Sequence, residues 1–225
     1  MAATELFSTP LYNDASLVAY YRLEDVNDNQ DQGTDYNLTN NGSVTFAATK
    51  FNNGADFTGA NSLNNNSVLS ATSYPRSFSG WSIFDSVTGD RTIFSLSDGS
   101  VHYYTFKVRS SDSHIVFRSN NNTDAGDVDT GITATTATMY QWVVIQNSST
   151  SVDIWINNVH TNTAATTFVA TVSQFYLGYL GRSSVWYMDG RTDDVAIFNK
   201  ALTSTEIDGI NNGFTTVNSS FFNFF

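Results

Sequence analysis

Carboxylates are where chemistry would start in this 225-residue chain, and nearly all of them are aspartates. Glu5, Glu24 and Glu206 are the whole glutamate set. Hydrolysis of a glycosidic bond needs two carboxyl groups at a set separation across a sugar cleft, one acid and one nucleophile or base. Asp127 with Asp129, and Asp193 with Asp194, are close pairs, but no strand context around them supports an acid/base couple. His102, His114 and His160 stand far apart, there is no cysteine, and no Gly-x-Ser-x-Gly elbow occurs, so nucleophilic catalysis has no carrier. No His-x-x-x-His spacing suggests zinc, and no glycine-rich phosphate loop precedes a helix. The expectation is a protein without catalytic residues.

Oxygen-rich loops are better represented. The run from Asp25 to Asp35 holds Asp28 and Asp31 among Asn, Gln and Gly residues. Calcium takes six to eight such oxygens, while the same residue types also cap turns; the residues alone leave both readings open. A second run, Asp124 to Gly131, lacks the closing glutamate of an EF-hand and reads as a turn. Flat aromatic faces are the other resource, since sugars stack on them beside planar polar groups. Trp186 and Tyr187 lie between Ser183-Ser184 and Asp189-Gly190, and Tyr103-Tyr104 follows Gly99, which makes these four the candidate ligand-binding residues.

The elements that must position them read as short strands. Leu17–Glu24 alternates Val18, Tyr20 and Arg22 against Ala19, Tyr21 and Leu23. Tyr36–Thr39, Asn40-Asn41-Gly42 and Val44–Phe46 read as strand, turn, strand. Further runs at Lys50–Phe57, Phe78–Phe84, Thr92–Leu96, Tyr103–Val108, Ile115–Arg118, Tyr140–Ile145 and Val152–Asn157 recur about every ten residues, the rhythm of an antiparallel sandwich. A net charge of -11 argues against nucleic acid, whose phosphates need clustered Lys and Arg. No stretch approaches the roughly 20 apolar residues of a membrane span, and the first residues lack the basic start and apolar run of a secretory leader.

The most informative stretch is Tyr187–Ile207. Gly190 suggests a turn, Asp194 to Asn199 alternates like a half-buried strand, and Thr203 with Glu206 has capping-box spacing before Ile207 and Ile210. Gly213 offers the helix stop. The order Gly-x-x-Asp-Asp-Val-x-Ile-Phe-Asn-x-Ala-Leu, then Glu-Ile, resembles the C-terminal signature of laminin-G-like domains of the concanavalin A-like lectin/glucanase superfamily. Leu17-Val-Ala-Tyr-Tyr-Arg-Leu-Glu24, Asp31-Gln-Gly33 and Gly54-Ala-Asp-Phe57 resemble its opening, with Tyr21 in place of Trp and Glu24 in place of Asp. The resemblance implies an all-β, two-sheet antiparallel β-sandwich, a concanavalin A-like jelly roll with one short C-terminal helix.

It divides the chain into an arm at 1–16, a sandwich at 17–213 and a Phe-rich tail at 214–225. Relatives often hold calcium, which by position points to Asp31 and to Asp193 or Asp194, with Asp28 offered by the same loop. The hydrolytic members share a Glu-x-Asp-x-x-Glu strand that this chain lacks. Trp81 and Trp142 fall at positions resembling core. The leading expectation is a non-catalytic recognition or adhesion domain for a glycan or cell-surface polymer, extracellular or carried on a phage virion. The alternative is a virion structural or decoration protein, docking other virion proteins or copies of itself through arm and tail. A polysaccharide hydrolase stands third.

Overall fold

The computed structural model describes residues 5–25, 36–121, 125–148, 150–165, 172–182 and 185–212. Its strands open with β1 (Leu17–Tyr21), β2 (Thr39–Asn41), β3 (Thr45–Ala48), β4 (Asn53–Thr58) and β5 (Ser62–Asn65). The long central strands are β6 (Arg76–Phe84), β7 (Arg91–Ser97), β8 (His102–Val108), β9 (His114–Asn121) and β10 (Ala125–Thr133). They are followed by β11 (Met139–Ser148), β12 (Ser151–Ile156), β13 (Val159–Ala165), β14 (Gln174–Leu177) and β15 (Asp189–Phe198), then helix α1 (Ser204–Asn212).

These strands make two antiparallel sheets, as the sequence predicts. The first runs β13-β12-β11-β6-β15-β4-β3, with β1 also on β15; the second runs β10-β9-β8-β7-β14-β5-β2. Alternate residues face inward. From the first sheet Phe78, Trp142, Val144, Val195 and Ile197 meet Phe94, Phe106, Phe117, Phe175 and Leu177 from the second, all fully buried. Rings dominate this layer: Phe94 packs against Phe78, Phe106, Phe175 and Trp142 with centroids 5.1–6.2 Å apart, near the spacing favoured by ring quadrupoles. Trp142 is core as expected, and its indole Nε1 donates to Ser82 Oγ at 3.0 Å, so the one polar atom it buries is satisfied.

The outer face of the first sheet carries a second apolar cluster. Leu6 and Leu11 from two 3-10 turns (Leu6–Ser8 and Pro10–Asn13) and Ile207 and Ile210 from α1 cover Tyr20, Val143, Ile145 and Phe198. Residues 5–13 are therefore part of the sandwich and not the free arm expected.

Three local expectations need correction. Gly190 lies within β15 rather than in a turn; its φ is 145°, and a Cβ there would stand 2.2 Å from the Ile83 carbonyl oxygen. β2 and β3 are not a hairpin, because β2 pairs with β5 in one sheet and β3 with β4 in the other. The stretch expected to turn at Asp127–Gly131 is strand β10, with Val128 in the core. The capping box is as expected: Thr203 N donates to Glu206 Oε2 at 2.8 Å, and Glu206 N to Thr203 Oγ1 at 3.3 Å. Thr203→Ala should lower stability by about 1 kcal/mol, read as a shift of roughly 2–4 °C in the thermal midpoint.

Candidate functional site

The groove on the outer face of the second sheet is built by an alternation and a close approach. In β14, Phe175 and Leu177 enter the core, so Tyr176 points outward. Its cross-strand partner in β5 is Asn64, and the partner of Asn64 in β2 is Thr39. After β14 the chain turns back over this face. Gly181, at φ 75°, passes so near the Tyr176 ring that a Cβ would lie 2.4 Å from it. This brings Tyr179 edge-on to Tyr176 (5.6 Å) and parallel to Tyr187 (4.8 Å, 16°). Ser95 Oγ holds the returning segment by donating to the Tyr179 carbonyl at 2.7 Å.

The resulting groove has a volume of about 370 Å³ and is lined by Asn41, Gly42, Ala60, Ser62, Asn64 and the three tyrosines. All three rings are partly exposed. Burial pushes the Tyr176 phenol up, and burial together with its tyrosine neighbours does the same for Tyr179, so these hydroxyls keep their protons at any physiological pH. Asn41 Nδ2 donates to Asn64 Oδ1, and Asn64 Nδ2 to Asn66 Oδ1 at 2.9 Å, which presets the amides. The Asn41 side-chain oxygen, the Ser62 hydroxyl and the hydroxyls of Tyr179 and Tyr187 have no partner among the described residues. The site thus offers stacking faces plus uncommitted donors and acceptors.

Of the four aromatic residues expected to bind ligand, one lines this groove. Tyr187 does. Trp186 is half-buried on the same segment, with its ring over Tyr103 (6.1 Å, edge-on) and the Lys107 ammonium 3.9 Å from its centroid. Its ring is thus engaged by two groups of the protein itself. Tyr103 is only 2% exposed beneath it. Tyr104 is fully buried and stacks on Phe117, which removes it as a ligand face. Consecutive strand residues point to opposite sides, so Tyr103 and Tyr104 could never both face out. Tyr176 and Tyr179 were missed; the signal for Tyr176 was its place between the inward-facing Phe175 and Leu177.

The two aspartates of the signature do not act together. A bulge between Asp193 and Ala196, with Asp194 at φ 54°, breaks the register of β15 on β6. Asp194 is buried beneath residues 5–13; it accepts from Leu6 N at 3.2 Å and from the Tyr20 hydroxyl. Those contacts occupy it, so it is corrected from metal ligand to anchor. Asp193 Oδ2 accepts from Thr49 Oγ1 (2.7 Å) and Phe51 N (2.9 Å), while its Oδ1 is buried with no partner. Burial pushes the Asp193 carboxyl up to about 8, with Asp194 and Glu24 adding to the rise and the two donors opposing it. Burial likewise raises Asp194, to about 7, against its hydrogen bonds. A lone buried carboxylate oxygen fits a cation at Asp193; the Asp194 environment does not. Asp28 and Asp31 lie outside the described residues.

The other carboxylate pair is tied up as well. Asp127 accepts from Arg118 at 2.8 Å and from Arg109 at 3.2 Å, and Asp129 pairs with Arg109 and with His114 at 3.0 Å. Asp112, His114 and Asp129 converge within 4.8 Å, but the Arg109 guanidinium already bonds both carboxylates there. His102 is paired with Asp98, and His160 packs on Trp155. None of these arrangements has the open geometry of an acid/base couple.

Comparison with known proteins finds the same fold elsewhere. Domain 4 of AbnA, a GH43 extracellular arabinanase from Geobacillus stearothermophilus solved with arabinotriose, superposes with a TM-score of 0.76 at 19% identity, over 88% of this chain and 98% of that one. The binding domain of Paraclostridial Mosquitocidal Protein 1 gives 0.68 at 13% identity, over 88% of this chain and 52% of that one. The NanB sialidase from Streptococcus pneumoniae gives 0.58 at 15% identity, over 72% of this chain and 28% of that one. This chain thus spans about half or less of the latter two. At such identities the likeness concerns the fold. No curated protein sequence matches significantly. Among the described residues no helix is long and apolar enough to cross a membrane. A family model described as "Concanavalin A-like lectin/glucanases superfamily" matches residues 38–208, from β2 into the capped helix, and the chain belongs to that family, Laminin_G_3.

Proposed function

We propose that the chain is a non-catalytic glycan-recognition module and that its sugar site is the tyrosine groove. The observation that carries this reading is the groove itself: three partly exposed tyrosines set around preset amides and a free serine hydroxyl. A sugar presents C–H faces to rings and hydroxyls to amides, and this site meets both needs. Structural neighbours with sugar or receptor partners support it, since AbnA domain 4 was solved with arabinotriose and a botulinum neurotoxin type C binding structure concerns two gangliosides. The committed carboxylates argue in the same direction, because an acid/base pair must be free to move protons.

A glycan array followed by titration calorimetry tests the reading. Tyr187→Ala and Tyr179→Ala should each weaken binding by about tenfold, the scale of one lost aromatic contact. Both rings are partly exposed, so the variants should melt near the parent. An array without hits, with and without calcium, would remove the proposal.

We also propose a structural calcium ion held by Asp193. Its Oδ1 is the buried oxygen without a partner, and calcium would supply the positive charge that the site lacks. Asp28 and Asp31, the other ligands expected from the sequence, lie outside the described residues. The Glu24 carboxylate, earlier in the chain, is held by Asn52 Nδ2 and Asn53 N. The role is to stabilise the fold, not to bind sugar.

A further inference from the structure

We infer that the groove takes an uncharged saccharide, a segment of one or two units, and discriminates against sialylated and uronate-bearing glycans. This rests on the glycan reading above and names the class of ligand within it.

The lining is the first reason. Among the described residues, every group facing the groove is an amide, a hydroxyl, an aromatic ring, the Ala60 methyl or backbone, and no Lys, Arg or His lines it. A carboxylate brought into such a site loses water and gains no cation or bidentate guanidinium in exchange, and that exchange is what makes acidic sugars bind. Neutral hydroxyls suffer no such loss, because each can give and accept one hydrogen bond. The free oxygen of Asn41 and the hydroxyls of Ser62, Tyr179 and Tyr187 match that dual need.

Nearby cations are the second reason, because they are committed elsewhere. Lys107 sits under the Trp186 ring and is paired with Asp90. Arg91 donates to the Tyr187 carbonyl at 3.4 Å and lies 3.9 Å from Asp189. Arg118 is held by Asp127 at 2.8 Å. Arg182 differs: it is exposed, lies 5.5 Å from the Tyr103 centroid and has no carboxylate partner among the described residues, yet it does not line the groove. Over longer range the chain's net charge of -11 repels polyanionic polymers.

Size is the third. About 370 Å³ lies near the lower end of the range for small-molecule sites, roughly 300–1,000 Å³. Because Tyr179 and Tyr187 stack on each other, one face of each ring is already covered. The remaining open faces suit the C–H side of one or two sugar rings.

Titration calorimetry with neutral arabino-, gluco- and galacto-oligosaccharides, and with lactose against 3′-sialyllactose, tests this at low and high salt. The expected result is binding by neutral members, at least about tenfold weaker binding when the sialic acid is added, about tenfold weaker binding on Tyr187→Ala, and no change on Arg182→Ala. Tighter binding of the sialylated member, abolished by Arg182→Ala and by salt, would overturn the inference while leaving a glycan-binding module. Silence across the whole panel would overturn the glycan reading itself.

Discussion

In EDTA, raising the pH from 5 to 7 should cost this protein roughly 3 to 5 kcal/mol of stability, a large share of what holds a domain together. The cause is the signature pair. Folding buries Asp193 and Asp194 and lifts their carboxyl pKa values from 3.8 to about 8 and about 7. A carboxyl whose folded value lies above its unfolded value binds more protons in the native state. Stability is then highest below the unfolded value and falls as pH rises towards the folded one, by about 1.4 kcal/mol per pH unit for each group. Asp194 contributes to the rise at Asp193, so their shares overlap and the sum falls short of two independent slopes. Asp14, Asp98, Asp112, Asp129 and Glu206 have lowered values, through hydrogen bonds and ion pairs that outweigh what burial costs them. Their contribution is present above the ordinary carboxylate range and is lost below about pH 4. The stability maximum should therefore lie near pH 4–5.

Calcium should invert the upper half of that profile. A cation at Asp193 takes the place of the proton, so its affinity rises with pH. At pH 8, millimolar calcium should recover a thermal midpoint lost by roughly 10 °C in EDTA. Asp193→Asn should flatten the slope and make the protein insensitive to calcium. A midpoint that is flat or rising from pH 5 to 8 in EDTA would show that both carboxyls ionise freely in the native state. A profile with the expected slope but no response to calcium would keep the burial argument and retire the metal.

How much of this was legible depended on whether a feature is local. Val195 and Ile197 in the main core, Ala196 and Phe198 in the second one, and the Thr203–Glu206 box all follow from spacing within one segment. Sandwich architecture followed from repeated short strands. What failed was partner choice. Asn40 and Asn41, expected in a turn, belong to strand β2, the chain bends only at Gly42, and no local signal says that β2 and β3 then join different sheets. The turn is instead locked by Asn40, which accepts from Val44 N at 2.8 Å and donates to the Val44 carbonyl at 3.0 Å. Asp127 and Asp129 look like turn residues until Arg118, from β9, and Arg109, just past the end of β8, neutralise them. Bulges are equally silent, and the one at Asp193 decides which aspartate meets which neighbour. The groove was half visible: Tyr187 came from its setting, whereas Tyr176 and Tyr179 join it only because Gly181 lets the chain fold back over β14.

Deleting residues 1–13 should lower the thermal midpoint by roughly 10–20 °C, and this separates an integral segment from an assembly handle. Leu6 and Leu11 are 1% and 3% exposed, and burying each such side chain contributes about 1.5–3 kcal/mol. Losing Leu6 N also strips Asp194 of a donor in a buried site, which adds about 1–3 kcal/mol. The total is of the order of 5 kcal/mol, and the deletion would also uncover Tyr20, Val143, Ile145 and Phe198 as one apolar patch. Such a patch promotes association, so the truncated protein should scatter light as soluble aggregates where the parent does not. Leu6→Ala with Leu11→Ala, which keeps the backbone donor to Asp194, should recover part of the loss and less of the aggregation. An unchanged midpoint after deletion would mean that these residues leave the sandwich readily and are free to engage a partner. A large loss would locate any assembly contact elsewhere, because a segment that closes its own core has little apolar surface left to offer a neighbour.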